Sequence, residues 1–228
     1  MGQVIFEHYD LNLPECKRKN IDGSRMYLTE TGEAYPSITT VLSRMSRDGI
    51  KAWRERVGAE TANKISTQAS RRGTAVHKLA EEYMSNNPNW SKGAMPNNIE
   101  TFNSIRPILE ENINLVYGLE VNLWSDYLGV AGQCDCVCQW DGQNTIVDFK
   151  TARKAKKENH IQNYFMQGCA YAIMFEERTG IAVPNIGIVI AVDNDDPQVF
   201  HVKRDDYVEG LTEQIKLYKM ELSMDKVV

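Results

Sequence analysis

Eight consecutive residues, Asn185 to Val192 (NIGIVIAV), carry almost no polar side chain. A strand with one face in water alternates apolar and polar positions, so a run without alternation belongs to a strand covered on both faces. The segments around it fit that demand. Glu158 to Arg178 reads as a long helix stopped by Gly180, Val199 to Val202 as a short strand, and Arg204 to Leu222 as a closing amphipathic helix. Upstream, Val116–Trp124, Val130–Trp140 and Thr145–Lys150 follow a period of two, with Asp141-Gly142 as a hairpin turn between the last two.

The first half is different. Residues 25–36 (RMYLTETGEAYP) read as a short hairpin turning at Gly32, and Ser37 as the N-cap of a helix carrying Ile38, Val41 and Leu42. Further helices are expected over Ile50–Lys64, Gly73–Met84 and Ile99–Asn114, the last bent by Pro107. The Asn-, Ser-, Gly- and Pro-rich stretch SNNPNWSKGAMPNN between them is a surface loop. The expected fold class is α/β: a mixed central sheet flanked by helices, with an N-terminal helical portion. One domain over residues 1–228 accommodates it, with the hairpin and helices at about 1–115 and the sheet with its flanking helices at about 116–228.

A hydrophobic fraction of 42% and a charged fraction of 25% are ordinary for a soluble globular protein. No apolar run approaches the roughly 20 residues that span a bilayer, and the first residues resemble no secretory signal. Gly2 is no myristoylation site, because the sixth position is Phe6. A cytoplasmic protein without a membrane partner is expected. Five cysteines (Cys16, Cys134, Cys136, Cys138, Cys169) form no even disulfide framework. Period-two spacing predicts Cys134, Cys136 and Cys138 on one strand face, as small buried side chains rather than metal ligands. A net charge of −5 excludes a globally basic nucleic-acid binder. It permits a protein whose carboxylates gather metal ions while local basic patches hold phosphates.

The polar residues at the centre of the strand region carry the chemistry. In Ile146-Val147-Asp148-Phe149-Lys150-Thr151, Asp148 and Lys150 project to one side, and Asp135 on the preceding strand can approach Asp148 across the hairpin. Two neighbouring carboxylates repel each other, and a divalent cation converts that cost into a binding site. Oxygen ligands suit Mg²⁺ or Mn²⁺. The same residues also fit a cross-strand Asp–Lys ion pair on a solvated face. Arg71-Arg72-Gly73-Thr74-Ala75-Val76-His77 leads into a helix that places His77 and Glu81 on one face, as ligands or as a surface pair. Gln167 and Tyr171 share a face of the later helix.

The ordered set RGTAVH with Glu81, GVAGQCD, IVDFKTA and QGCAY resembles the RecB-like branch of the PD-(D/E)XK nuclease superfamily, whose members have a restriction-endonuclease-like core. In that likeness Asp135 matches the first acid and Asp148-Phe149-Lys150 the (D/E)-x-K element. Gln167 and Tyr171 match the downstream Gln-x-x-x-Tyr motif, and His77 the histidine of the first helix. Glu120 resembles an acid found upstream of the Gly-x-x-Asp strand. Tyr35-Pro36-Ser37-Ile38-Thr39 resembles the entry segment of mitochondrial and phage exonucleases of that branch. The likeness covers about residues 25–192.

It implies metal-dependent hydrolysis of DNA. His77, Glu81, Asp135, Asp148 and the Phe149 carbonyl would surround Mg²⁺ or Mn²⁺, with Asp135, Asp148, Lys150, Gln167 and Tyr171 as the catalytic set. No cysteine follows Cys169, so the iron–sulfur cluster of some relatives is not expected. Arg71, Arg72, Thr151, Arg153 and Lys154 are the expected substrate contacts, since phosphates are held largely by Lys and Arg. Trp90 can stack a single-stranded base or cover an apolar patch. The leading expectation is an exonuclease acting on DNA ends, favouring single strands, in recombination, repair or genome processing. A separate helicase, recombinase or single-strand-binding protein would work with it, in a bacterial host's cytoplasm if the protein is a phage's. A structure-specific or nicking endonuclease is the enzymatic alternative, and a non-catalytic DNA-binding or assembly protein the alternative of another class.

Overall fold

The computed structural model describes residues 4–21 and 23–225; Gly2 lies outside them. Its centre is a six-stranded mixed sheet in the order β1-β5-β6-β7-β8-β9. These strands are β1 (Glu7–His8), β5 (Ile113–Ser125), β6 (Val130–Trp140), β7 (Gln143–Ala152), β8 (Asn185–Val192) and β9 (Gln198–Lys203). β5, β6 and β7 form an antiparallel meander, whereas β8 runs parallel to β7 and β1 parallel to β5. Parallel neighbours need a crossover, and helix α5 (Gln162–Thr179) supplies it between β7 and β8. Every residue of β8 is buried, as its unbroken apolar run requires.

Helices cover both faces of this sheet. Alternate residues Ile146, Ile186, Ile188 and Ile190 pack with Phe165, Ala170 and Phe175 of α5 and with the short helix α1 (Ile38–Ser43). Val147, Phe149, Val189 and Ala191 point the other way, against α3 (Ala59–Met84) and α4 (Pro96–Asn112). Helix α6 (Val208–Asp225) adds Leu211 and Ile215 to the first of these cores. A separate three-stranded sheet of β2 (Cys16–Ile21), β3 (Ser24–Thr29) and β4 (Ala34–Pro36) packs Tyr27 against Trp124 and Ala131.

The α/β class, the hairpin over 25–36 and the turn at Asp141-Gly142 match expectation. Both turn residues have positive φ (49° and 73°), the conformation a two-residue hairpin requires. Three expectations need correction. The helices expected over 50–64 and 73–84 are instead α2 (Arg47–Val57) and the 26-residue α3, separated by Gly58 at φ 84°. The first half of α3 is largely exposed and so lacks the apolar stripe that marks a helix in sequence. β1 and β2 were not foreseen, being respectively two residues long and mostly exposed. Finally, Cys134 packs in the core beneath α5, whereas Cys136 and Cys138 pack beneath α3 and α4. All five cysteines are buried and free, but the strict alternation of β6 breaks at Asp135.

Candidate metal and phosphodiester site

That break positions the site. β6 and β7 are paired only from Cys136–Val147 toward the hairpin turn, so Asp135 stands where the two strands part. Its Oδ2 accepts a hydrogen bond from the Phe149 amide at 2.8 Å, which ties the open end of β6 to β7. On the other side of β6, Glu120 of β5 lies between the paired residues Leu119–Cys136 and Val121–Cys134. Glu120 has φ 50°, a left-handed conformation that costs a side-chain-bearing residue roughly 1–2 kcal/mol. Strain of this kind persists where the surroundings impose it, and it clusters at functional sites.

Helix α3 brings His77 to the same point. Its Nε2 donates to the Phe149 carbonyl at 2.8 Å, and its Nδ1 faces Asp135 at 3.4 Å and Glu120 at 3.7 Å. One ligand atom from each of His77, Glu120 and Asp135 falls within 4.8 Å of the others. An imidazole nitrogen and two carboxylates form a donor set that suits a divalent transition ion or Mg²⁺. The three groups perturb one another's protonation. Burial disfavours a charged imidazole, but Asp135 and Glu120 outweigh it and push His77 up to about 10. Burial likewise opposes a charged Asp135, but His77 and Lys150 hold its carboxyl below the usual range.

Asp148 and Lys150 lie on the α5 face of β7, in contact with each other. Gln167 Nε2 donates to Asp148 Oδ1 at 3.0 Å and to the Tyr171 hydroxyl at 3.2 Å, so the helix orients the acid. Burial raises Asp148 to about 6, against the opposing pull of Lys150. Two carboxylates on neighbouring strands are therefore driven apart in acidity, Asp135 downward and Asp148 upward. Burial works against the Lys150 ammonium, but Asp148 and Asp135 raise it. The Lys150 Nζ also sits 5.1 Å from the centre of the Tyr164 ring, a cation–π contact that fixes its position.

Gly132 has a part that no charge pattern reveals. A Cβ there would lie 2.6 Å from Tyr171 Cε1 and 3.1 Å from Ile38 Cγ2. Only a residue without a side chain lets Tyr171 lie against β6 and reach Gln167. The glycine of the Gly-x-x-Asp segment is thus a packing requirement of the site.

The expected residues divide. His77, Asp135, Asp148, Lys150, Gln167, Tyr171 and the Phe149 carbonyl converge, and Glu120 joins the trio more closely than expected. Asp148 stands outside the trio itself. Glu81 lines the same cleft of about 610 Å³, but its carboxylate is engaged by Lys78 at 2.9 Å. Arg72 is neutralised by Asp193. Arg71, Thr151 and Arg153 line a neighbouring cleft of about 420 Å³, with Arg153 3.5 Å from Gln68 Oε1, and Lys154 is exposed beyond β7. Trp90 packs 5.3 Å from the rings of both Tyr83 and Phe102, the apolar-patch alternative. Sequence reasoning missed Arg18 and Arg25, which line the site cleft from β2 and β3. The basic run Lys17-Arg18-Lys19 was the available signal.

No family model matches the chain. Over 129 residues it is 27% identical to mitochondrial genome maintenance exonuclease 1 of Mus musculus. That match takes in 53% of this chain but only 38% of the mouse protein, so the chain spans well under half of that relative. A crystal structure from Eubacterium rectale, named for an exonuclease, superposes with a TM-score of 0.46 at 15% identity, covering 67% of this chain and 65% of that one.

Proposed function

We propose that this protein is a metal-dependent deoxyribonuclease of the PD-(D/E)XK type that removes nucleotides from DNA ends. The observation that carries the reading is the convergence of His77, Glu120 and Asp135 beside the Asp148–Lys150 pair where β6 and β7 part. The similarity to an exonuclease supports the same class.

In this reading His77, Glu120 and Asp135 would hold Mg²⁺ or Mn²⁺, with Asp148 and the Phe149 carbonyl as neighbouring oxygen donors. A bound divalent ion supplies Lewis-acid stabilisation of phosphate charge and lowers the pKa of water. Lys150 presents its ammonium to the charge that grows on the phosphate oxygens, a role for which a fixed, partly buried cation is suited. Asp148, raised toward neutrality by burial, accepts or returns a proton at its Oδ2, beside Lys150. Gln167 and Tyr171 keep that carboxyl in place. Arg71, Thr151, Arg153 and Lys154 are proposed to guide the strand beyond the site, and residues 1–228 to act as one nuclease domain. Preference for single strands and a part in recombination, repair or genome processing belong to the same proposal.

The test is digestion of 5′- and 3′-labelled single- and double-stranded DNA with Mg²⁺, Mn²⁺ or EDTA, beside Asp148→Ala and Lys150→Ala. Cleavage from ends, lost in EDTA and reduced on the order of a hundredfold or more in both variants, is expected. Equal degradation of closed circles would overturn the exonuclease reading and favour an endonuclease. Undiminished activity of Asp148→Ala would remove the site itself.

A further inference from the structure

The hairpin of β2 and β3 forms one wall of the cleft, and its register decides which of its cations face inward. Arg18 pairs with Tyr27, and Asn20 with Arg25. Directly paired residues share a face of a sheet, and alternate residues of a strand do too. Arg18, Arg25 and Tyr27 are therefore on one side, and Lys17 and Lys19 on the other. Tyr27 is buried against Trp124 and Ala131 of the main sheet, so the arginine side is the one turned toward it. Both arginines border the cleft that also holds His77, Glu120, Asp135 and Lys150.

Their charge is unspent. Arg44, Arg72, Arg178 and Arg204 each have a carboxylate partner. Among the described residues Arg18 and Arg25 have none, and Arg25 makes one long hydrogen bond, 3.5 Å to Thr39 Oγ1. Two guanidinium groups without counter-charge, at the mouth of a cleft with acids at its floor, fit a ligand that is anionic along its length and able to bridge a cation.

We propose that Arg18 and Arg25 form the outer wall of the substrate cleft and hold backbone phosphates of the DNA strand being cut. This rests on the nuclease reading, to which it adds a binding surface on a segment separate from the central sheet. Each phosphate neutralised on a single strand contributes about 0.7 to the slope of log affinity against log salt concentration. Binding of a fluorescein-labelled single-stranded oligonucleotide is measured by anisotropy across a KCl series, in EDTA to prevent cutting. Arg18→Gln with Arg25→Gln lowers the slope by about 1.4. Arg18→Lys with Arg25→Lys preserves it, and Lys17→Gln with Lys19→Gln, on the opposite face, also leaves it unchanged. Should the double glutamine variant fail to fold by circular dichroism, Arg18→Gln alone lowers the slope by about 0.7.

An unchanged slope in the arginine variants overturns the inference, as does an equal drop in the lysine variants. If cleavage sensitive to Asp148→Ala persists alongside an unchanged slope, this inference fails and the nuclease reading stands. If the unaltered protein neither binds nor cuts DNA, both fail.

Discussion

A single missing methyl group links the fold to the proposed chemistry. Gly132 leaves room for Tyr171, whose hydroxyl accepts from Gln167, which in turn donates to Asp148. Gly132→Ala places a Cβ 2.6 Å from the tyrosine ring, and the ring must move. Overpacking of this kind costs about 1–3 kcal/mol. The larger effect falls on activity, because a catalytic group displaced by about 1 Å can lose on the order of a hundredfold in rate. Turnover of a labelled oligonucleotide, measured beside a thermal melt, is expected to show a loss in kcat out of proportion to the loss of stability. Asp148 and Lys150 were legible in the sequence because an acid and a lysine on alternate positions of an apolar strand demand an explanation. Glu120 was less so, since its place beside His77 and Asp135 goes with a left-handed backbone that no local pattern announces.

At the scale of elements, what could be read depended on whether burial left a periodic trace. β8 and α5 left one, and both lie close to where the pattern put them. Residues 65–72 of α3, between the two helices expected there, left none, because their side chains mostly face water. β2 is an exposed edge strand whose only buried residue is Cys16, so it is silent as well. Contact between α5 and β8 gives a prediction at this scale. Gly168 lies where a Cβ would be 2.4 Å from Ile186 Cγ2. Alanine in place of a helical glycine ordinarily stabilises by about 1 kcal/mol. Here the clash reverses the sign, and Gly168→Ala is expected to destabilise by about 1–3 kcal/mol in urea unfolding. Adding Ile186→Ala removes the clashing atom, so the pair should cost less than the sum of the single changes.

For the whole molecule, two cores lie on opposite faces of one sheet, and the candidate site draws His77 from α3 on one face and Gln167 and Tyr171 from α5 on the other. Tyr83, Trp90 and Phe102 form an aromatic cluster beneath the loop after α3. Trp90 belongs to that packing, so Trp90→Ala is expected to cost about 2–3 kcal/mol and to lower the Tm by several degrees. Affinity for a single-stranded oligonucleotide should stay unchanged; a severalfold loss of affinity in the folded variant would mean that the ring stacks on a base. No helix among the described residues is long and apolar enough to cross a membrane.

The left-handed backbone at Glu120 turns the site into a trade between durability and use. Glycine at φ 50° carries no steric penalty, whereas alanine keeps the strain and, like glycine, loses the carboxylate. Glu120→Gly should therefore melt above Glu120→Ala by an amount worth about 1 kcal/mol, while the proposed metal-dependent cleavage is expected to fall in both. Selection for stability alone would favour glycine at this position. A glutamate there gives up backbone ease and places a carboxylate beside His77 and Asp135, as the proposed metal site requires.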